Sequence, residues 1–230
     1  MKGKKVAFFD IDKTIYDGYL IFPLAEYFLK ENVVGKDVVH SLYNDLHLYR
    51  SQQVDYETTV ENFNIHLANG LKHRDTDSIL ALTKSFLETD EGNKFFPFAA
   101  DLMELLEPTY DIYFVTGEVQ CVGKAVAEYF AVHGYVSTEM DIKDSVYTGT
   151  IRKSLARKEG KRDAINHVIH KYPHEGSLAF GDSEGDIEML DAVAQAFCIN
   201  ATEGLREVAL SKGWHIAKPE TILDAVKKTL

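Results

Sequence analysis

Four carboxylates, one hydroxyl and one lysine stand in this sequence where phosphoryl transfer would use them. Asp10 and Asp12 lie in Asp10-Ile11-Asp12-Lys13-Thr14, Thr116 precedes Gly117, and Asp182 and Asp186 bracket Gly181-Asp182-Ser183-Glu184-Gly185-Asp186. Lys161 completes the set. Crowded carboxylates repel one another and resist desolvation unless a cation neutralises them. An all-oxygen set without Cys or His suits Mg2+, which takes a few carboxylates and a substrate phosphate and keeps several waters. Phosphoryl transfer then needs an in-line nucleophile and a donor for the leaving oxygen. Asp10 is placed to attack phosphorus as a carboxylate. Asp12 is placed to protonate the leaving alcohol and later to deprotonate water. The Thr116 hydroxyl and Gly117 amide are expected where a helix begins, as an anion site. Lys161 adds positive charge to phosphate and to Asp10. Asp182 is expected to bind the metal directly, and Asp186 to orient the metal's waters or Lys161.

Each piece alone is weak. A D-x-D-x-T triplet arises by chance in roughly a few per cent of chains this long. A single lysine at a helix start is ordinarily a solvated residue. What carries the functional reading is order, because each piece follows an expected strand or opens an expected helix.

Those elements are legible from periodicity. Val6 to Phe9 is a continuous apolar run, the pattern of a buried strand. From Tyr19 to about Glu88 apolar residues recur at helical spacing and predict about four helices, with Asp55 and Asp77 as the N-caps of the last two. After Pro97 helices and strands alternate. Helices are expected over Ala99 to Leu106, Gln120 to His133 and Lys161 to Lys171, and strands over Ile112 to Val115, Tyr135 to Ser137, Leu178 to Phe180 and Ala196 to Ile199. A hairpin is expected across Asp144-Ser145. Such alternation means a parallel sheet covered on both faces. The expected architecture is an α/β, Rossmann-like core over about 1–17 and 90–230, interrupted by an all-helical cap over 18–89. Ligands bind such sheets at the C-terminal ends of strands, where the chemical residues fall.

The 230 residues are 45% hydrophobic and 27% charged, ordinary for a globular protein with a real core. A net charge of −11 argues against general nucleic-acid binding. Cys121 and Cys198 fit no metal spacing and are expected to be buried apolar residues. No run of about 18 apolar residues suggests a membrane span, so a cytoplasmic location is the default expectation.

The motifs together resemble the haloacid dehalogenase (HAD) superfamily from end to end. Phe8 through Ile15 is similar to its first motif, Val115-Thr116-Gly117 to its second, Gly160-Lys161 to its third and Gly181 through Asp186 to its fourth. The stretch from Ser137 to Ile151 resembles a segment of subfamily IB, the phosphoserine-phosphatase-like branch, which also carries a helical cap. The resemblance implies a Rossmann-like fold and phosphomonoester hydrolysis through an aspartyl-phosphate. It also implies Mg2+ held by Asp10, the main-chain carbonyl of Asp12 and Asp182. Two departures separate the chain from phosphoserine phosphatases. Tyr19 stands where they place a glutamate for the substrate's amino group, and the only insertion arginines, Arg50 and Arg74, are not at an equivalent place. A small phosphomonoester other than phosphoserine is therefore the expected substrate, with Thr116, Gly117, Lys161 and Tyr19 as its contacts.

Aromatic residues of the insertion invite two readings. They build the cap's own small core, or Tyr16, Tyr19 and Phe22 face the site and touch the leaving group. The same catalytic set would also serve a phosphotransferase or phosphomutase. A binding domain that had lost catalysis would lack a motif residue, and none is missing.

Overall fold

The computed structural model describes residues 3–156 and 158–230. The first two residues of the expected core segment lie outside them. Among the described residues, seven strands form one sheet: β1 (Lys5–Phe9), β2 (Tyr110–Val119), β3 (Gly134–Lys143), β4 (Val146–Lys153), β5 (Leu178–Gly181), β6 (Gln195–Ile199) and β7 (His215–Ala217). Their order is β4-β3-β2-β1-β5-β6-β7, parallel throughout except for the β3–β4 hairpin. This is the expected α/β class.

The apolar run of β1 has a direct cause. Successive side chains of a strand point to opposite faces, and here both faces are covered. Ala7 and Phe9 join one buried cluster while Val6 and Phe8 join another. Beyond β1 the chain forms α1 (Ile21–Lys30), α2 (Lys36–Arg50), α3 (Tyr56–Gly70) and α4 (Thr76–Leu87). Their apolar faces are not set apart from the sheet. Phe28, Phe63, Leu67 and Phe86 belong to the same cluster as Phe9, Phe114 and Phe180.

The remaining helices are α5 (Phe98–Leu106), α6 (Gln120–Tyr129), α7 (Lys158–Ile169), α8 (Ile187–Asp191), α9 (Glu203–Lys212) and α10 (Ile222–Lys227). Several boundaries differ from expectation. Asp55 caps α3 through the Thr58 amide at 2.8 Å, as expected, but α4 is capped by Asp75 through Ser78 at 2.8 Å. Asp77 lies within the first turn, where its charge is favoured by the positive end of the helix. α6 stops at Tyr129 rather than His133, because Ala131 takes a left-handed conformation (φ 52°) that turns the chain toward β3. Asp144 and Ser145 both have positive φ, the geometry of the tight turn a two-residue hairpin needs. Both cysteines are buried and free, as expected. No helix among the described residues is long and apolar enough to cross a membrane.

Candidate active site

The strand order reverses at β1, which has β2 on one side and β5 on the other. That switch point is where open α/β sheets leave a crevice. Asp10 follows β1 and Asp182 follows β5, so adjacent strand ends bring the two carboxyls to one rim, and the Asp10 amide donates to the Phe180 carbonyl at 2.9 Å. Lys161 reaches the same rim from the first turn of α7. Its ammonium donates to Asp10 Oδ1 at 2.7 Å and to Asp186 Oδ1 at 2.6 Å. The other oxygen of Asp186 accepts from the amides of Asp182 (3.0 Å) and Ser183 (3.2 Å). Asp186 thus fixes both the loop that carries Asp182 and the lysine that faces Asp10. Only glycine fits at 181, since a Cβ there would lie 2.5 Å from the Asp186 Cβ.

These groups are almost wholly out of water: Asp10 is 5% exposed, Lys161 7%, Asp182 5% and Asp186 0%. Burial alone would lower the Lys161 ammonium pKa, but Asp10 and then Asp186 outweigh it and hold the side chain charged. One lysine does not balance the carboxylates. Burial pushes Asp182 well above its ordinary value, with Asp186 and Asp10 adding to the shift, and its carboxyl has no hydrogen-bond partner among the described residues. Asp10, Asp182 and Asp186 can each bring an oxygen within 4.8 Å of the others. With Asp186 already engaged by Lys161 and two amides, Asp10 and Asp182 offer free oxygens. That donor set, hard, buried and short of positive charge, fits a divalent cation bound by oxygen.

The Asp10 carboxyl is pushed from its ordinary 3.8 to about 7, by burial first, opposed by Lys161 and reinforced by Asp186. Between about 4 and about 7 the folded, metal-free protein keeps a proton that the unfolded chain has released, so stability falls as pH rises through that window. In chelator, the thermal midpoint of the wild type should therefore drop over this range relative to an Asp10→Asn variant. Parallel curves for the two proteins would refute it.

Asp12 sits differently. Its Oδ1 accepts the Leu20 amide at 2.9 Å, at the start of α1, and its carboxyl faces that of Glu118. Burial is the main cause that raises both, and Glu118, 6% exposed, lies well above its ordinary value with Asp12 as the next cause. Thr116 is buried, and its Oγ1 accepts the Glu118 amide at 3.1 Å. One expectation is corrected here. Thr116 and Gly117 do not open a helix: β2 continues to Val119 through a register shift, and α6 begins only at Gln120. The bulged strand end, not a helix N-terminus, presents the Gly117 backbone to the site.

A small cavity of about 40 Å3 joins the two halves of the site. Its lining brings Asp10, Asp12, Thr116, Gly117 and Lys161 together with Tyr19, Ile21 and a stripe of α3, Tyr56, Val60, Phe63 and Asn64, whose spacing puts them on one helical face. Tyr19 lines the cavity as expected, with its hydroxyl accepting from Lys13 Nζ at 2.6 Å. Tyr16 and Phe22 do not. Tyr16 packs edge-on against Phe95, and Phe22 packs on Phe63 and Tyr43. The rows of aromatics in the insertion thus divide between core and site, and periodicity alone could not say which. Glu118, Tyr56, Phe63 and Asn64 were not singled out as site residues from the sequence. Only Glu118 carried a signal, its place directly after Thr116-Gly117. Neither insertion arginine lines the cavity: Arg50 is exposed, and Arg74 donates to the carbonyls of Asn32 and Val33.

A Rossmann-like sheet that gathers buried carboxylates and a lysine at its switch point defines a class of α/β enzyme with an oxygen-rich catalytic site. The chain belongs to the haloacid dehalogenase-like hydrolase family, whose model matches residues 7–191. It is 26% identical over 233 residues to a probable phosphatase of Mycobacterium tuberculosis, covering 98% of this chain and 80% of that protein. It is 21% identical over 224 residues to a phosphoserine phosphatase of the same species, covering 91% and 69%. Among solved structures, a Bordetella pertussis protein of unknown function superposes with a TM-score of 0.76 at 22% identity, over 95% of this chain and 100% of that one. A phosphoserine phosphatase captured as a phospho-aspartyl intermediate analogue superposes with a TM-score of 0.66 at 16% identity, over 100% of both chains. At such identities the structural likeness establishes the fold.

Proposed function

We propose that the protein is a Mg2+-dependent phosphomonoester phosphatase that works through an aspartyl-phosphate on Asp10. The observation that carries this reading is the Lys161 bridge, which holds the Asp10 carboxylate at the strand end beside a cavity lined by Asp12 and Thr116. Asp10 attacks phosphorus in line, and the bond to the ester oxygen breaks as the acyl phosphate forms. Asp12 gives its proton to the leaving alkoxide. It then takes a proton from the water that attacks phosphorus, which frees phosphate and restores the Asp10 carboxylate. The Thr116 hydroxyl, the Gly117 amide and Lys161 hold the equatorial oxygens. Mg2+, when bound by the carboxylates of Asp10 and Asp182 and the carbonyl of Asp12, would supply further neutralisation of the phosphate charge. Asp186 acts through Lys161 and the Asp182 loop rather than as a direct ligand.

The helical segment 18–89 acts in this proposal as a cap over a core of 1–17 and 90–230. With α3 against the rim, the cavity of about 40 Å3 has room for little more than a water or two, so substrate entry requires α3 to move. A small phosphorylated metabolite, admitted when α3 moves, is the substrate of this reading. Phosphoserine does not suit the cavity's chemistry, despite the names of the relatives, because Tyr19 stands where the resembled phosphoserine phosphatases place a glutamate, and among the described residues no arginine lines the cavity.

The test is phosphate release from p-nitrophenyl phosphate with Mg2+ and with chelator, followed by a panel of natural phosphomonoesters that includes phosphoserine. Metal-dependent release into water supports the reading, with phosphoserine among the poorer substrates. Phosphate recovered on an organic acceptor instead would point to transfer rather than hydrolysis.

A further inference from the structure

Asn64, on α3, is 2% exposed and lines the cavity together with Asp12 and Glu118. Its orientation is fixed by chemistry. The carbonyl of Gly117 can only accept, so the Asn64 atom 2.8 Å from it is the NH2 group. The same nitrogen lies 3.5 Å from Thr138 Oγ1, whose hydroxyl donates to Gly117 O at 2.7 Å and accepts the Leu155 amide at 3.0 Å. The amide nitrogen is therefore tethered to the strand that carries Thr116. Among the described residues both side-chain hydrogen bonds of Asn64 use that nitrogen, which leaves the amide oxygen to the cavity the residue lines. An acceptor without a protein partner on a cavity wall is a subsite for a donor.

Resting on the phosphatase reading for what fills the cavity, we infer that Asn64 Oδ1 reads the leaving alcohol by accepting a hydrogen bond from an N–H or O–H on it. The neighbouring groups agree with a donor-bearing alcohol. Glu118 adds a second oxygen-bearing wall, Tyr19, Tyr56 and Phe63 present rings, and Lys161 is the only cation in the lining among the described residues. Among the described residues an alcohol that carries a carboxylate finds no second counter-charge there. The substrate class is thus phosphomonoesters of small alcohols that bear a hydroxyl or amino group and no second anion. A purely structural Asn64, holding α3 to Gly117, is the competing account.

Three non-hydrolysable probes of matched length separate these accounts: propylphosphonate, 3-hydroxypropylphosphonate and 3-aminopropylphosphonate, titrated calorimetrically with Mg2+ present. Wild type should bind at least one donor-bearing probe about tenfold or more tighter than propylphosphonate. Which of the two is favoured tells a hydroxyl from an ammonium. In Asn64→Leu that ratio should fall to near unity, whatever happens to the absolute affinities, whereas a structural role would weaken all three alike. Asn64→Asp, which keeps an acceptor at the same place, should retain a preference for at least one donor-bearing probe. Equal binding of the three by wild type, an unchanged ratio in Asn64→Leu, or no binding of any probe overturns the inference. Phosphate release from 2-hydroxyethyl and 2-aminoethyl phosphate is followed separately. Selective binding without release would sink the phosphatase reading and leave the subsite standing.

Discussion

Asp10→Asn should lower phosphate release by about 10^4-fold or more, with the protein as stable as the wild type or more so above pH 7. The two halves of this result have one cause. Asp10 must be ionised to attack phosphorus, yet burial drives its carboxyl up to about 7, so the free protein bears the cost of holding that charge out of water. Asparagine has the same shape, and its amide oxygen can still accept from Lys161, so the 2.7 Å contact survives while the buried charge is gone. What the amide cannot do is form an acyl phosphate that water then opens. Stopped reactions examined by intact-protein mass spectrometry should show a phosphorylated fraction in the wild type and none in the variant. If Asp10→Asn kept more than a few per cent of wild-type turnover, Asp10 would not be the nucleophile.

That role was legible before the structure because it depends on strand ends. A short continuous apolar run of β-favouring residues such as Val6 to Phe9 reads as a strand covered on both faces, and an aspartate at the end of such a strand emerges at the sheet's rim. The same argument placed Asp182 after Leu178 to Phe180. Chain order and pattern were enough for the α/β class, the helical insertion and the meeting of Asp10, Lys161, Asp182 and Asp186. What stayed out of reach depends on three-dimensional neighbours rather than on period. The bulged end of β2 carries no hydrophobic signature, so Thr116-Gly117 read as a helix start. Short elements such as α8 and β7 fall below the length at which periodicity speaks. The lining of α3 is another such case. Tyr56, Val60 and Phe63 read as one apolar stripe, but whether a stripe packs on its own helices or on a rim depends on how α3 sits against β2, which the sequence does not encode locally. Glu118 is the clearest instance. Its place directly after Thr116-Gly117 was a signal, but its burial against the Asp12 carboxyl, which makes it part of the site, depends on the fold.

Lys161→Met should cost both stability and rate, and the way the two losses separate tests what the lysine does. Its ammonium lies between Asp10 and Asp186, both buried, at 2.7 and 2.6 Å. Removing one partner of a buried charge network strands the others, a loss of roughly 3–5 kcal/mol, which urea denaturation in chelator would read directly. Asp186 keeps its bonds to the Asp182 and Ser183 amides through its second oxygen, so the loop should stay folded and the protein remain measurable. Adding Asp186→Asn to Lys161→Met removes one stranded charge and should return part of that stability. It should return none of the activity, because the lost positive charge beside the phosphate, worth about 10^2 to 10^3 in rate, is not restored by neutralising Asp186. Lys161→Arg should not rescue either property, since a planar guanidinium cannot replace a compact ammonium held at two such short distances in a closed pocket. Recovery of turnover in the double variant would mean that Lys161 serves only to balance Asp186, and that the phosphate draws its positive charge from elsewhere.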